Sequence, residues 1–170
     1  MVRVAVKYGL TGGVVFIVLF IIIYFTNKDP LLHAGLIDVV ILLIFLIFAI
    51  KEYRDVYNGG LMQFGEGMTI GILAYLMMAL ISSFFIYIMT TIVDPKLLSH
   101  YIDIRMAMLR EHKETLIETI DESAYIKSLA GVKNTTAFDL ALDDFFKKSI
   151  TGLIITIAVA VIFKKQQSKH

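Results

Sequence analysis

The chain has 170 residues, 58% of them hydrophobic and 18% charged, with a formal net charge of +1. A soluble domain runs nearer half apolar and a quarter charged. The surplus here, with a mean hydropathy of +0.77, is gathered in blocks, which is the mark of a membrane protein. The near-neutral charge gives no field for a nucleic acid, and the absence of cysteine excludes disulfides, thiolate catalysis and cysteine-held metals.

The first uncharged run covers residues 8–27. Twenty residues at the helical rise reach about 30 Å, the thickness of the hydrocarbon core. Arg3 and Lys7 before it resemble the start of a signal peptide. The apolar part is longer than a usual signal core and no small-residue cleavage site follows, so the reading is an uncleaved membrane helix. The second run, residues 30–50, is apolar except for His33 and Asp38 near its start, and Lys51 ends it.

Residues 51–67, KEYRDVYNGGLMQFGEG, then hold five charges, four glycines and three aromatics. Asn58-Gly59-Gly60 is a turn signal, because Asn and Gly accept positive φ cheaply. Lys51 and Asp55 share a face if the second helix continues for one more turn. Gly65 and Gly67 allow a further bend before the next span. Tyr53, Tyr57, Met62 and Phe64 supply anchors at headgroup depth. The stretch reads as an interfacial hairpin; the sharper reading is a docking or headgroup site built from Arg54 and Glu66, with Tyr53 and Phe64 beside them, since arginine suits phosphate.

The third run, residues 67–93, is long enough to span with tilt, and Asp94-Pro95 closes it. Residues 94–144 form a long polar excursion. Leu97, Leu98, Tyr101, Ile102, Met106, Leu109, Leu116, Ile117 and Ile120 recur there at helical spacing between charges. One or two amphipathic helices are expected, with a break over residues 130–134 and a helix-start box at Thr136 and Asp139. The last span, residues 145–164, continues a helix that begins near Thr136, and Lys147 and Lys148 are expected to snorkel to the interface. Lone strands in lipid leave backbone groups unpaired, so all four spans are helices. The expected fold is an all-α integral membrane protein of one domain, with four transmembrane helices and a long helical extracytoplasmic segment between the third and fourth.

The run from Lys51 to Pro95 resembles the core of a family of small, functionally uncharacterised four-helix bacterial inner-membrane proteins. The features that carry the likeness are Tyr53-Arg54-Asp55, the Gly59-Gly60 turn, Phe64-Gly65-Glu66-Gly67, Gly71 and Asp94-Pro95, with DLALDDFFKKSITGLI at residues 139–154 matching the entry to the final helix. The resemblance covers nearly the whole chain. It implies four spans and an extracytoplasmic excursion, and it implies no activity. Arg3, Lys7, Lys51, Arg54, Lys164, Lys165 and Lys169 gather on one side under the four-span reading, against Lys28 on the short opposite connection. The positive-inside tendency places both termini and the hairpin in the cytoplasm.

Asp38 is the residue most suggestive of chemistry, because a carboxylate inside a span is expensive. Its expected partner is Lys147 or Lys148 as a structural ion pair; interfacial solvation and proton or ion handling are the alternatives. Asp139, Asp143 and Asp144 can be drawn as a cation site, but Asp143 with Lys147 and Asp144 with Lys148 have ordinary helical ion-pair spacing. His33 stands alone among headgroups, His100 and His112 with Glu111 and Glu114 lack metal-ligand spacing, and no phosphate loop, dinucleotide fingerprint or catalytic triad cue is present. No cofactor or metal is expected. Gly9 with Gly13 and Gly67 with Gly71 read as close-packing positions within one bundle. The functional expectation is a non-enzymatic accessory or scaffold subunit contacting membrane lipid and a protein partner or further copies of itself. The alternatives are an anchor for a membrane enzyme acting on lipid-linked sugars, and a small ion or solute transporter with Asp38 at its centre.

Overall fold

The computed structural model describes residues 1–26, 30–33 and 35–165. The connection at residues 27–29, with Lys28, lies outside the described residues, as does Lys169. The described elements are helical: α1 (Val2–Phe25), α2 (Pro30–His33), α3 (Gly35–Glu52), α4 (Phe64–Ile88), α5 (Lys96–Glu111), α6 (Lys113–Ile120), α7 (Glu122–Lys133) and α8 (Ala137–Phe163). Two π-helical stretches, Tyr53–Tyr57 and Met89–Val93, extend α3 and α4. Among the described residues, three helices are long and apolar enough to cross a membrane: Val2–Phe25, Phe64–Val93 and Ala137–Phe163. The second expected span falls on α2 and α3, and residue 34 between them lies outside the described residues. The 18 residues of α3 reach about 27 Å, with Asp38, Lys51 and Glu52 as its charges.

The chain divides into two compact units. The first comprises Met1–Phe85 and Leu142–His170. Its core is built from Val4, Ala5 and Phe16 of α1, Leu42, Leu46 and Ile50 of α3, Ile70, Ala74 and Met78 of α4, and Val159 of α8. The helices are apolar all round, so the buried faces are chosen by shape as much as by hydrophobicity. Gly12 and Gly13 let α1 approach α4: a Cβ on Gly13 would stand 2.8 Å from the Cβ of Ile81. Gly71 is filled by Thr156, and Gly152 by the Tyr75 ring. The opposite faces leave Val14, Val18 and Ile22, Val40 and Phe48, Leu80 and Phe84, and Ile150, Ile154 and Ile157 exposed, as lipid-facing residues are.

One end of this unit is tied together by polar contacts. Lys7 donates to Glu52 at 2.6 Å, as does the Tyr8 hydroxyl, so the start of α1 meets the end of α3. Met62, after the hairpin turn, exchanges two backbone hydrogen bonds of 2.9 Å with Lys165, just beyond α8.

The second unit, Ile86–Ala141, contains α5, α6 and α7, which pack on one another. Three helices stand where one or two were expected. The extra division falls at Asp121, whose backbone turns through φ 70° while its carboxylate accepts the Ala124 N–H at 2.8 Å. The expected break over residues 130–134 is replaced by helix as far as Lys133. At the start of α8, the Asp139 carboxylate accepts the Thr136 N–H at 2.9 Å, and the Thr136 hydroxyl accepts the Asp139 N–H at 3.2 Å. This reciprocal cap stops the preceding turn from running on.

Candidate functional site

Two groups of polar side chains in the first unit bring sequence-selected residues together. The first is the hairpin. The helix of α3 does continue past Lys51, but as a π-helical turn carrying Tyr53, Arg54 and Asp55. Gly59 and Gly60 adopt φ 61° and 79°, and the Gly60 N–H reaches back to the Arg54 carbonyl at 2.8 Å. Glu66 organises the far side of the turn. It accepts the Gln63 N–H at 2.7 Å, the Tyr53 hydroxyl at 3.0 Å and the Asn58 amide at 3.3 Å. Anchored this way, α4 starts at Phe64, and Gly65 and Gly67 lie inside the helix instead of forming a bend. Gly67 has a packing role, since a Cβ there would stand 2.9 Å from Met62 and 3.0 Å from Ala160.

Arg54 and Glu66 are not brought together as a pair. The Arg54 guanidinium grips Asp55 through Nε at 2.6 Å and Nη2 at 3.1 Å, and it lies 4.8 Å above the Phe163 ring. The guanidinium holds the Asp55 carboxyl below the usual aspartate range. Hydrogen bonds from Lys7 and then Tyr8 do the same for Glu52. Burial, followed by the bond to Glu66, pushes the Tyr53 hydroxyl up. Tyr53 and Met62, read as headgroup anchors, are buried, whereas Tyr57, Phe64 and Val56 are exposed. The Lys7–Glu52–Tyr8 contact carries no local sequence signal, because its partners are more than forty residues apart.

The second group lies among α1, α3, α4 and α8. Lys148 of α8 is 5% exposed and its ammonium stands 2.8 Å from the Asp38 carboxylate of α3. The same ammonium pairs with Asp144, one turn earlier on α8. The Ser82 hydroxyl of α4 donates to Asp144 at 2.9 Å. The Phe16 ring of α1 lies 4.9 Å from the ammonium, close enough for a cation–π contact. Lys148 therefore does not snorkel to the interface. It turns inward because two carboxylates meet it there, while Lys147 points outward and pairs with exposed Asp143. Ser82 and Phe16 were not selected from the sequence; a serine pair within the third span was the available sign for Ser82, and nothing distinguishes Phe16.

Asp139 is engaged with Thr136. Among the described residues no group of three or more His, Asp or Glu is placed to hold a metal. The side chain of His33 lies outside the description, and His112 contacts the Met108 carbonyl at 3.0 Å. In the second unit an open concavity of about 430 Å³ is lined by Arg105, Met108, Leu109, Glu111, His112 and Leu116.

The model of a family described as a protein of unknown function, DUF4199, matches residues 7–165. The chain belongs to this family. The match covers both polar groups of the first unit and the whole of the second. Comparison with curated proteins finds no match, and comparison with solved structures finds none either. The DUF4199 assignment agrees with the resemblance drawn from the hairpin and final-helix motifs, and it brings no activity with it.

Proposed function

We propose that this DUF4199 chain is a four-span protein of a bacterial inner membrane, with both ends and the hairpin in the cytoplasm. In this reading it is a non-enzymatic accessory or scaffold subunit. The fourth crossing is α3. Support for it comes from the Lys7–Glu52 contact, which sets the end of α3 beside the start of α1. A helix that lies along α1 and shares its end passes through the same slab of lipid. The charges that interrupt α3 sit at its two ends, where headgroups are within reach.

The observation that carries the scaffold reading is the engagement of the hairpin's polar groups. Glu66 receives donors from Tyr53, Asn58 and Gln63, and Arg54 is held by Asp55. These residues fix the chain's shape and leave Val56, Tyr57 and Phe64 as the outward surface. An exposed aromatic and apolar edge on a rigid turn suits contact with lipid or a partner protein.

The test is purification in a gentle detergent, with and without prior crosslinking in the membrane. A companion protein in constant ratio, lost on Tyr57→Ser with Phe64→Ser, is the expected result. A monodisperse single species that turns over a substrate would overturn the reading.

A further inference from the structure

Among the described residues, the cluster around Lys148 has an unbalanced charge. Two carboxylates, Asp38 and Asp144, face one ammonium. The other two contacts, Ser82 from α4 and Phe16 from α1, are uncharged. The nearby Asp143–Lys147 pair on α8 is exposed and neutral in itself. With every group ionised, the cluster would carry one net negative charge. Its side chains are only 6%, 15% and 16% exposed for Lys148, Asp38 and Asp144, and its surroundings are apolar helices. An uncompensated charge in such a place is costly, and the usual escape is to take up a proton.

We propose that Asp38 and Asp144 share one exchangeable proton, with Lys148 kept as the ammonium between them, so that the cluster is a proton-binding site within the helical bundle. The two carboxylates are like charges gathered on a single counter-ion, an arrangement that favours one proton between them over two full charges. Asp144 has two donors, Lys148 and the Ser82 hydroxyl. Asp38 has Lys148 alone among the described residues. The shared proton therefore resides more on Asp38, in the first turn of α3. The proton moves between carboxylate oxygen and solvent, with no bond broken in the protein and no redox partner required.

The experiment is infrared difference spectroscopy on the full chain in lipid nanodiscs, with carbon-labelled aspartate and a titration from acidic to alkaline pH. The expected result at neutral pH is a protonated-carboxyl carbonyl band equivalent to one aspartate per chain, which disappears on alkalinisation. Asp38→Asn leaves Asp144 and Lys148 balanced, and Asp144→Asn leaves Asp38 and Lys148 balanced. Each is expected to remove the band, while Asp143→Asn keeps it. A wild-type chain whose aspartates are all ionised at neutral pH would overturn the proposal, and this reading needs no variant to fold. Such a chain with a sodium-dependent shift of the carboxylate bands would overturn it in favour of a bound cation. A band that survives in both single variants would also overturn it.

Discussion

Replacing Lys148 with Met removes the cation that, among the described residues, meets two buried carboxylates, and keeps the volume of the side chain. A single ion contact at 2.8 Å is worth about 6 kcal/mol at an effective dielectric near 20, before desolvation is counted. Desolvation of the ions takes back several kcal/mol, and breaking a buried pair by removing one partner costs about 3–5 kcal/mol. Exposure of 6% at the Lys148 side chain leaves little room for solvent to soften that loss. At about 2–4 °C per kcal/mol for a chain of this size, the melting temperature should fall by roughly 6–20 °C. The assay is thermal unfolding in a mild detergent, followed by circular dichroism. Adding Asp38→Asn and Asp144→Asn to Lys148→Met removes the carboxyl groups left without their counter-ion and should restore most of the loss. If Lys148→Met melts with the wild type, or if the triple variant is no better than the single one, the ion cluster does not stabilise the bundle.

Gly152→Ala places a methyl group 2.5 Å from the Tyr75 ring and 2.7 Å from its Cβ. Overpacking of this kind costs about 1–3 kcal/mol, so a lower melting temperature and easier proteolysis in detergent are expected. Thr156→Val should be neutral or stabilising by about 1 kcal/mol, because the Thr156 hydroxyl is buried without a partner among the described residues and its removal relieves an unsatisfied group. In the second unit, Asp121→Gly should be tolerated better than Asp121→Ala, since only glycine accepts the observed φ of 70° freely. Amide exchange in α7 reports the difference. The Ala124 N–H, and then the Ser123 hydroxyl, hold the Asp121 carboxyl below its ordinary value. A depressed folded value means that this cap contributes above the ordinary aspartate range and is lost as pH falls through the folded value. Protection of the Ala124 amide should decline in that acidic window and stay flat in Asp121→Asn.

The membrane character and most helix positions were legible in the sequence because lipid imposes a length and a polarity on each span. The ends were less so. The uncharged run starts at Tyr8, and the helix that carries it starts earlier, at Val2, with the Lys7 charge met by Glu52. Gly65 and Gly67 suggested a bend, and the cap from Glu66 together with the packing of Gly67 on Ala160 made them helical instead. The outer segment was undercounted by a helix because its turn uses Asp121, a residue that rarely takes positive φ. Pairing Asp38 with the last apolar run followed from matching levels. The choice between Lys147 and Lys148 did not, because neighbouring residues on a helix point about 100° apart. The rotation of α8 is set by Gly152 against Tyr75 and Thr156 against Gly71, contacts that are visible only in three dimensions. Ser82 and Phe16 enter the cluster through that same rotation.

The central claim is that α3 crosses the membrane, returning the chain to the side on which it began. The natural chain has no cysteine, so single cysteines can be placed without background at Val2, Val56 and Lys113, all exposed. Labelling with a membrane-impermeant thiol reagent, in intact cells and after permeabilisation, reads the side of each. Val2→Cys and Val56→Cys should react only after permeabilisation, and Lys113→Cys in intact cells. Reaction of Val2→Cys and Val56→Cys from opposite sides would contradict the account.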